Sequence, residues 1–453
     1  MTFDDLNLNA SLRNALSDLG LIHPTTIQHK TFSVAMSGQD TIGIAQTGTG
    51  KTYAYLLPCL RQWKYNKIKT PQILIIVPTR ELVVQVVEET EKLSRYMELR
   101  VVGAYGGTNI KTQIAAVHQG ADVVVGTPGR LMDLMLNGIL KTKLIKTLVI
   151  DEVDEMLNLG FRTQLKNLMD LLPEKRQNLM FSATLDDEVQ ALINLFFKNP
   201  ARVEAAPAGS PLENIDQSLY AVPNFNTKVT LIETLLRDTL VMNKVLVFAS
   251  SKKLADDLFE RLEVNFPNEL GVIHSNKSQN YRFDAVNKFQ AGENRVLIAT
   301  DLISRGLDIS EVSHVINFDL PDIPENYIHR IGRTGRAEKK GTSISFFTQW
   351  ETAKKEAIEA LMNKKISLLE LPDELPISEV LTQDELPKSQ QPNLDLKKPA
   401  TQPSGLAFHE KKDKNKKVNA KVRYAEKMKV KYKKPKKRGD KNRAKLDKKR
   451  GKK

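Results

Sequence analysis

The sequence predicts an α/β protein of two tandem parallel-sheet domains followed by a basic disordered tail, and three observations carry this. First, short β-branched runs alternate with amphipathic stretches in two series: Ile42 to Ile44, Ile73 to Val77, Val101 to Ala104, Val123 to Val125, Leu148 to Ile150 and Asn178 to Phe181, then Val245 to Phe248, Gly271 to Ile273, Val296 to Ile298, Val315 to Phe318 and Thr342 to Phe346. Second, the stretch between them, Ala205 to Leu212, reads Ala-Ala-Pro-Ala-Gly-Ser-Pro-Leu and has linker composition without periodicity. Third, charge is divided unevenly: residues 411–453 hold 23 Lys and Arg against 4 Asp and Glu, net +19, leaving 45 against 50, net −5, for residues 1–410. The expected plan is a first domain over 1–205, a linker over 206–216, a second domain over 217–367 and a linker plus tail over 368–453.

With 453 residues, 41% of them hydrophobic, the chain can bury more than one core. The longest apolar runs fall far short of a membrane helix, and Met-Thr-Phe-Asp-Asp lacks the basic and apolar regions of a signal peptide, so a cytoplasmic protein without membrane contact is expected. The single cysteine, Cys59, excludes an intramolecular disulfide and a cysteine metal cluster; within Leu57-Pro58-Cys59-Leu60 it reads as core.

In chain order, Phe3 is an apolar anchor, and Gly20 to Gln28 follows. Thr25 or Thr26, after Pro24, can cap a helix containing Gln28 and leave its amide free to pair with an adenine edge. Next comes a phosphate cradle, Ala45-Gln46-Thr47-Gly48-Thr49-Gly50-Lys51-Thr52, after the run Ile42 to Ile44. Its glycines let backbone N–H groups turn toward a polyphosphate, Lys51 can reach the β and γ oxygens, and Thr52 can offer a hydroxyl to Mg²⁺. Alone, the segment also fits a glycine-rich strand-to-helix turn.

Three polar loops follow strand-like runs: Pro78-Thr79-Arg80-Glu81-Leu82, Gly106-Gly107 and Thr127-Pro128-Gly129-Arg130. Singly each fits a connecting loop. On one rim of an open sheet they would align arginines, hydroxyls and backbone amides as a phosphate backbone requires. Asp151-Glu152-Val153-Asp154 then ends the run Thr147 to Ile150 and supplies the carboxylates the cradle needs. Asp151 can hold Mg²⁺ and Glu152 can orient or deprotonate the water that attacks the γ-phosphate.

At this point the chain resembles the DEAD-box RNA helicases of superfamily 2, over roughly residues 3 to 350. The resemblance rests on the segments above with Ser182-Ala183-Thr184, then Gln279-Asn280-Tyr281-Arg282, Thr300-Asp301, Arg305-Gly306-Leu307-Asp308 and His329-Arg330-Ile331-Gly332-Arg333-Thr334-Gly335-Arg336. Val153 stands where the family has alanine, Leu21 where an aromatic is common, Ser304 where alanine is usual and Ser275 where glycine is usual.

The resemblance implies two RecA-like domains, ATP and Mg²⁺ as cofactors, and RNA as a partner bound through its backbone with little sequence specificity. It implies that Phe3 stacks on adenine, that Gln28 reads it, and that Gln46 to Thr52 and Asp308 hold the nucleotide. RNA would lie on Thr79, Arg80, Gly107, Thr127, Gly129 and Arg130, and on Arg282 and Thr300. Ser182, Thr184 and Asp154 would couple the two sites, and His329 and Arg330 would face Asp151 to Asp154. Arg333 and Arg336 would be arginine fingers, which act only when the domains close. The expected activity is ATP-dependent opening of short RNA duplexes or remodelling of RNA–protein complexes by a monomer, with ribonucleoprotein partners possible.

Beyond Phe347, Glu351 to Ile366 reads as an amphipathic helix closing the second domain, and Glu370 to Pro399 as a linker. From Lys411 the Lys-rich sequence lacks apolar periodicity, so it should be disordered when free and attract RNA electrostatically. Two rival classes remain open: a noncatalytic RNA clamp or annealing factor acting through the tail, and a DNA-directed motor on the same fold.

Overall fold

A computed structural model describes residues 1–46, 48–68, 70–205, 214–301, 309, 312–335, 340–382 and 385. The expected site residues Thr47, Asp308 and Arg336, and the Lys-rich tail, lie outside the described residues.

Over the first part, the chain runs α1 (Ala10–Asp18), α2 (Thr26–Met36), β1 (Thr41–Ile44), α3 (Lys51–Gln62), β2 (Ile73–Ile76), α4 (Arg80–Leu93), β3 (Val101–Ala104), α5 (Ile110–Gln119) and β4 (Val123–Gly126). It continues through α6 (Pro128–Leu136), β5 (Thr147–Ile150), α7 (Val153–Asn158), α8 (Arg162–Asp170), β6 (Gln177–Ser182), α9 (Asp187–Phe196) and β7 (Ala201–Glu204). The strands form one parallel sheet in the order β3-β4-β2-β5-β6-β1-β7. Alternation along each strand feeds two layers: Ile73 and Ile75 enter one cluster with Leu56 and Val86, while Leu74 and Ile76 enter another with Leu131 and Met156. A strand buried on both faces has to be apolar throughout, which is why these runs were legible.

The second part comprises β8 (Ile215–Ala221), α10 (Phe225–Leu236), β9 (Val245–Phe248), α11 (Lys252–Glu263), β10 (Leu270–Ile273), α12 (Gln279–Ala291), β11 (Val296–Ala299), β12 (His314–Asn317), α13 (Pro324–Ile331), β13 (Gly341–Phe347), α14 (Thr352–Met362) and β14 (Ser367–Leu369). Its parallel sheet has the order β10-β11-β9-β12-β13-β8-β14. Counted from its own first strand, that is the same order as the first sheet, so each domain begins with a strand that ends up next to last. Val245 and Val247 again face one layer and Leu246 and Phe248 the other.

Three strands were missed in the sequence: β7, β8 and β14. β8 starts at Ile215, inside the stretch expected as linker. The expected helix over Glu351 to Ile366 is shorter, stopping at Met362 because Asn363 turns left-handed at φ 48°, after which β14 joins the free edge of β8. The expected linker from Glu370 begins as a strap on the second domain. Leu375 is buried with Phe225 and Leu371, Asn226 Nδ2 donates to the Val380 carbonyl at 2.7 Å and Ser378 N donates to Thr227 Oγ1 at 3.0 Å. Cys59 is core, as expected, its thiol pushed up to about 12 by burial.

Candidate functional site

In the first domain, the carboxyl ends of β1 to β6 share one rim, since these strands are all parallel, and every expected first-domain motif from the cradle to Ser182-Ala183-Thr184 falls on it, Gly106-Gly107 at its β3 end. The cradle leaves β1 with Ala45 N donating to the Ser182 carbonyl at 3.0 Å. Gly48 and Gly50 take φ of 81° and 90°, the left-handed region where a side chain is strained. Gly50 is also the N-cap of α3, and Thr49 Oγ1 closes the loop on the Gln46 carbonyl at 2.7 Å.

Lys51 opens α3 and is buried, and its ammonium has no hydrogen-bond partner in the protein. A buried ammonium without a hydrogen-bond acceptor is costly, and the nearby Asp151 and Glu152 carboxylates offset its charge only electrostatically. It lines a cavity of about 380 Å³ with Phe3, Gln28, Thr52, Asp151, Glu152 and Arg333. Arg333, from the second domain, is buried here and acts electrostatically on Glu152. The cavity size suits a nucleotide-sized ligand.

β5 ends at Ile150, and Asp151 Oδ1 accepts the Glu152 N–H at 2.9 Å. Glu152 then caps α7 in a left-handed conformation, φ 51° and ψ 51°, rare for a residue with a side chain and a local strain of order 1 kcal/mol or more. Burial pushes its carboxyl up to about 7, opposed chiefly by the charge of Lys51. Burial also raises the Asp151 carboxyl, again against the attraction of Lys51. Asp154 faces away from this pair: its Oδ2 accepts Ala183 N at 3.0 Å, Thr184 N at 3.1 Å and Thr184 Oγ1 at 3.3 Å. The strand β6 and the carboxylate segment are thereby tied together, while the buried Ser182 hydroxyl has no partner.

Several expected residues are placed differently. The Gln28 amide is not free: its Oε1 accepts Thr25 N at 2.9 Å, closing a capping box, and its Nε2 donates to the Gly50 carbonyl at 3.2 Å. It staples α2 to the cradle, because an amide beside a helix N-terminus and a bent loop finds partners in both. Phe3 joins the core, as an apolar anchor should, and also lines the cavity.

Of the expected RNA contacts, Thr79 caps α4 through its hydroxyl, 3.3 Å from Leu82 N. Arg80 Nη1 donates to Gln279 Oε1 at 3.2 Å, and its guanidinium fills the space where a side chain on Gly107 would lie. Arg282 pairs with Glu81 at 2.6 Å, both buried. Thr127 precedes α6, whose first residue is Pro128, and Gly129 opens onto empty space. Arg130 instead lies buried, donating to Gln113 Oε1 at 2.7 Å and the Thr108 carbonyl at 3.2 Å, so it supports the Gly106-Gly107 loop from beneath. Thr300 is buried at the end of β11.

His329 is buried on α13. Arg330 does not meet Asp151 to Asp154: its guanidinium forks onto Asp301 at 2.5 and 2.7 Å, reaches the Asp319 carbonyl at 2.8 Å and lies over the Phe248 ring. With these partners inside its own domain, it is committed to that domain's interior. Glu81, Gln113 and Asp301 were missed as partners; Glu81 and Asp301 lie inside quoted motifs, whereas nothing local marks Gln113.

Among the described residues no helix is long and apolar enough to cross a membrane, and no group of three His, Cys, Asp or Glu is placed to hold a metal. Residues 25–192 match the family model described as DEAD/DEAH box helicase, and residues 227–338 that of the helicase conserved C-terminal domain. The chain is 39% identical over 372 residues to the DEAD-box ATP-dependent RNA helicase CshA of Geobacillus kaustophilus, covering 82% of this chain and 79% of the relative. It is 41% identical over 366 residues to CshA of Streptococcus pneumoniae, covering 81% and 69%. Among solved structures it is similar to S. cerevisiae Dbp5 bound to RNA and ADP BeF3 (TM-score 0.74, 28% identity, 82% of this chain and 96% of that one). It is also similar to Mss116p bound to ssRNA and AMP-PNP (TM-score 0.76, 29% identity, 82% and 79%).

Proposed function

This chain belongs to the DEAD-box ATP-dependent RNA helicases, and from that premise we propose how its residues divide the work. It is an RNA-dependent ATPase and helicase of two RecA-like domains. ATP would occupy the cavity lined by Phe3, Gln28 and Lys51, its adenine against Phe3 and its phosphates on the amides of Gln46 to Thr52. The observation that carries this reading is the buried, partnerless Lys51 ammonium beside Asp151 and Glu152.

Mg²⁺ would be held by Thr52 and Asp151 together with the phosphates. The residues present fit, since Thr52 and Asp151 line the same cavity as Lys51 and Mg²⁺ is usually bound by one or two carboxylates plus phosphate. Bound there, Mg²⁺ would supply charge neutralisation for the phosphates. Glu152, strained toward the cavity and buried, would orient the attacking water and take its proton. Arg333 and Arg336 would stabilise charge spreading over the transferred group, and Asp308 would hold the ribose.

RNA would track over Thr79, Arg80, Gly107, Thr127, Gly129, Arg282 and Thr300, with Arg130 shaping the loop. Its presence would be reported to the ATP site through Ser182, Thr184 and Asp154; in support, Asp154 accepts the backbone N–H groups of Ala183 and Thr184. We place the protein in the cytoplasm as a monomer, with RNA as its partner. Support for the RNA reading comes from Dbp5 and Mss116p, which are bound to RNA and an ATP analogue. ATPase measured with RNA, with DNA and with neither tests it: RNA-selective stimulation is expected, whereas equal stimulation by DNA would favour the DNA motor and none at all the passive clamp.

A further inference from the structure

One buried polar group behind the nucleotide site, not itself among the cavity-lining residues, has no role in that scheme. Tyr55 sits on α3, one turn after Lys51 and three residues after Thr52, and its side chain is fully buried. Its ring packs against Phe181 of β6, centroids 5.4 Å apart and planes tilted by 55°. Phe181 immediately precedes Ser182-Ala183-Thr184, and it presses so closely on β1 that Gly43 has no room for a side chain. The hydroxyl of Tyr55 lies beside Asp151 and Thr52, enclosed, without a well-aligned hydrogen bond to any group.

A buried phenol is ordinarily hydrogen-bonded, because leaving it unpaired costs roughly 1–3 kcal/mol. A wholly apolar side chain of the same shape would pack on Phe181 without that cost. The hydroxyl has both groups assigned to the metal as its polar neighbours. We propose that Tyr55 is a positioning residue for the divalent cation: its hydroxyl orients the Asp151 carboxylate and the Thr52 hydroxyl when metal and nucleotide enter, and its ring ties that arrangement to β6. This rests on the assignment of Thr52 and Asp151 as metal ligands.

Partners one step removed from a metal fix the direction of the ligand oxygens, and their loss typically weakens metal affinity by about 10-fold or more. The test uses the full-length chain and its Tyr55→Phe and Asp151→Asn variants. Binding of a fluorescent ADP is titrated with Mg²⁺, binding of Mn²⁺ to the ADP complex is followed by electron paramagnetic resonance, and thermal unfolding is recorded without nucleotide. In Tyr55→Phe the Mg²⁺ midpoint should rise by about 10-fold, with a matching weakening of Mn²⁺. Metal-free ADP affinity should stay near wild type, and the melting temperature without nucleotide should stay the same or rise, since the packing on Phe181 remains and the unpaired hydroxyl is gone.

An unchanged midpoint in Tyr55→Phe together with a shifted one in Asp151→Asn would overturn the role of Tyr55 alone. A lowered melting temperature with an unchanged midpoint would do the same and make the hydroxyl structural. If Asp151→Asn also leaves both metal titrations unmoved, the ligand assignment fails and this proposal with it.

Discussion

At Lys51 and Glu152, two neighbours in one cavity should fail in different ways. Lys51→Ala removes the cation that meets the phosphates in the ground state, so ATP affinity should fall. Glu152→Gln keeps shape and metal shell but cannot take a proton, so binding should persist while turnover drops by roughly a hundredfold or more. Equilibrium nucleotide binding and single-turnover hydrolysis at saturating RNA separate them; near-normal turnover in Glu152→Gln would remove the residue from the mechanism. The same variant reports on stability. Glu152 is lifted from its ordinary 4.5 to about 7 by burial, so the folded state keeps a proton that the unfolded chain has already released. Stability is therefore lost as pH rises from 4.5 to 7, by at most on the order of 3 kcal/mol, and stays lost above that. Glu152→Gln, having no charge to bury, should melt with wild type near pH 4 and above it at pH 8. For Arg330, the fork onto Asp301 predicts a structural outcome: Arg330→Ala leaves a carboxylate uncompensated and should cost about 3–5 kcal/mol in a denaturant titration of the second domain.

At the scale of elements, what the sequence disclosed and what it hid follow from burial. Strands such as Ile73–Ile76 and Val245–Phe248 are covered on both faces, so nothing polar is tolerated and the run stands out. β7 buries only Val203 of its four residues, and β14 is exposed throughout. Strands held mainly by backbone pairing leave no apolar period to read. In the site, residues that a glycine turn of the chain itself places were legible as cavity lining, as with Lys51 and Thr52. Arg130 and Arg330 were not, because an arginine in a motif looks the same whether its guanidinium meets a ligand or is used up by Gln113 or Asp301. The strap gives a test of the revised boundary. Cutting after Glu370, where composition suggests a linker, removes Leu375 from the core and Ser378 from the α10 N-terminus, and should lower the melting temperature of the second domain by several degrees. Cutting after Pro387 should leave it unchanged; equal melting of both truncated chains would mean that the strap contributes nothing.

For the whole molecule, the uneven charge predicts where RNA should be held loosely and where it should be acted upon. Residues 1–410 carry −5 and residues 411–453 carry +19. A chain ending at Pro387 should reach the full ATPase rate but need more RNA to do so. If the tail covers five phosphates, the slope of log affinity against log salt should flatten by about 3.5 in its absence. Titrating RNA at several salt concentrations compares the slopes, and identical ones would show that the tail is no tether. The order of the second sheet bears on how such a chain is made. β8 is the earliest strand of that sheet to leave the ribosome, yet its neighbours there are β13 and β14, the two latest. From Ile215 to Gly341, at roughly 5–20 residues per second, its edges stay open for about 6–25 seconds, a window for pairing with other nascent chains or for chaperone binding. The Lys-rich segment, translated after β14, therefore reaches the crowded, RNA-filled surroundings of the ribosome only after the strands that shield β8 have been made.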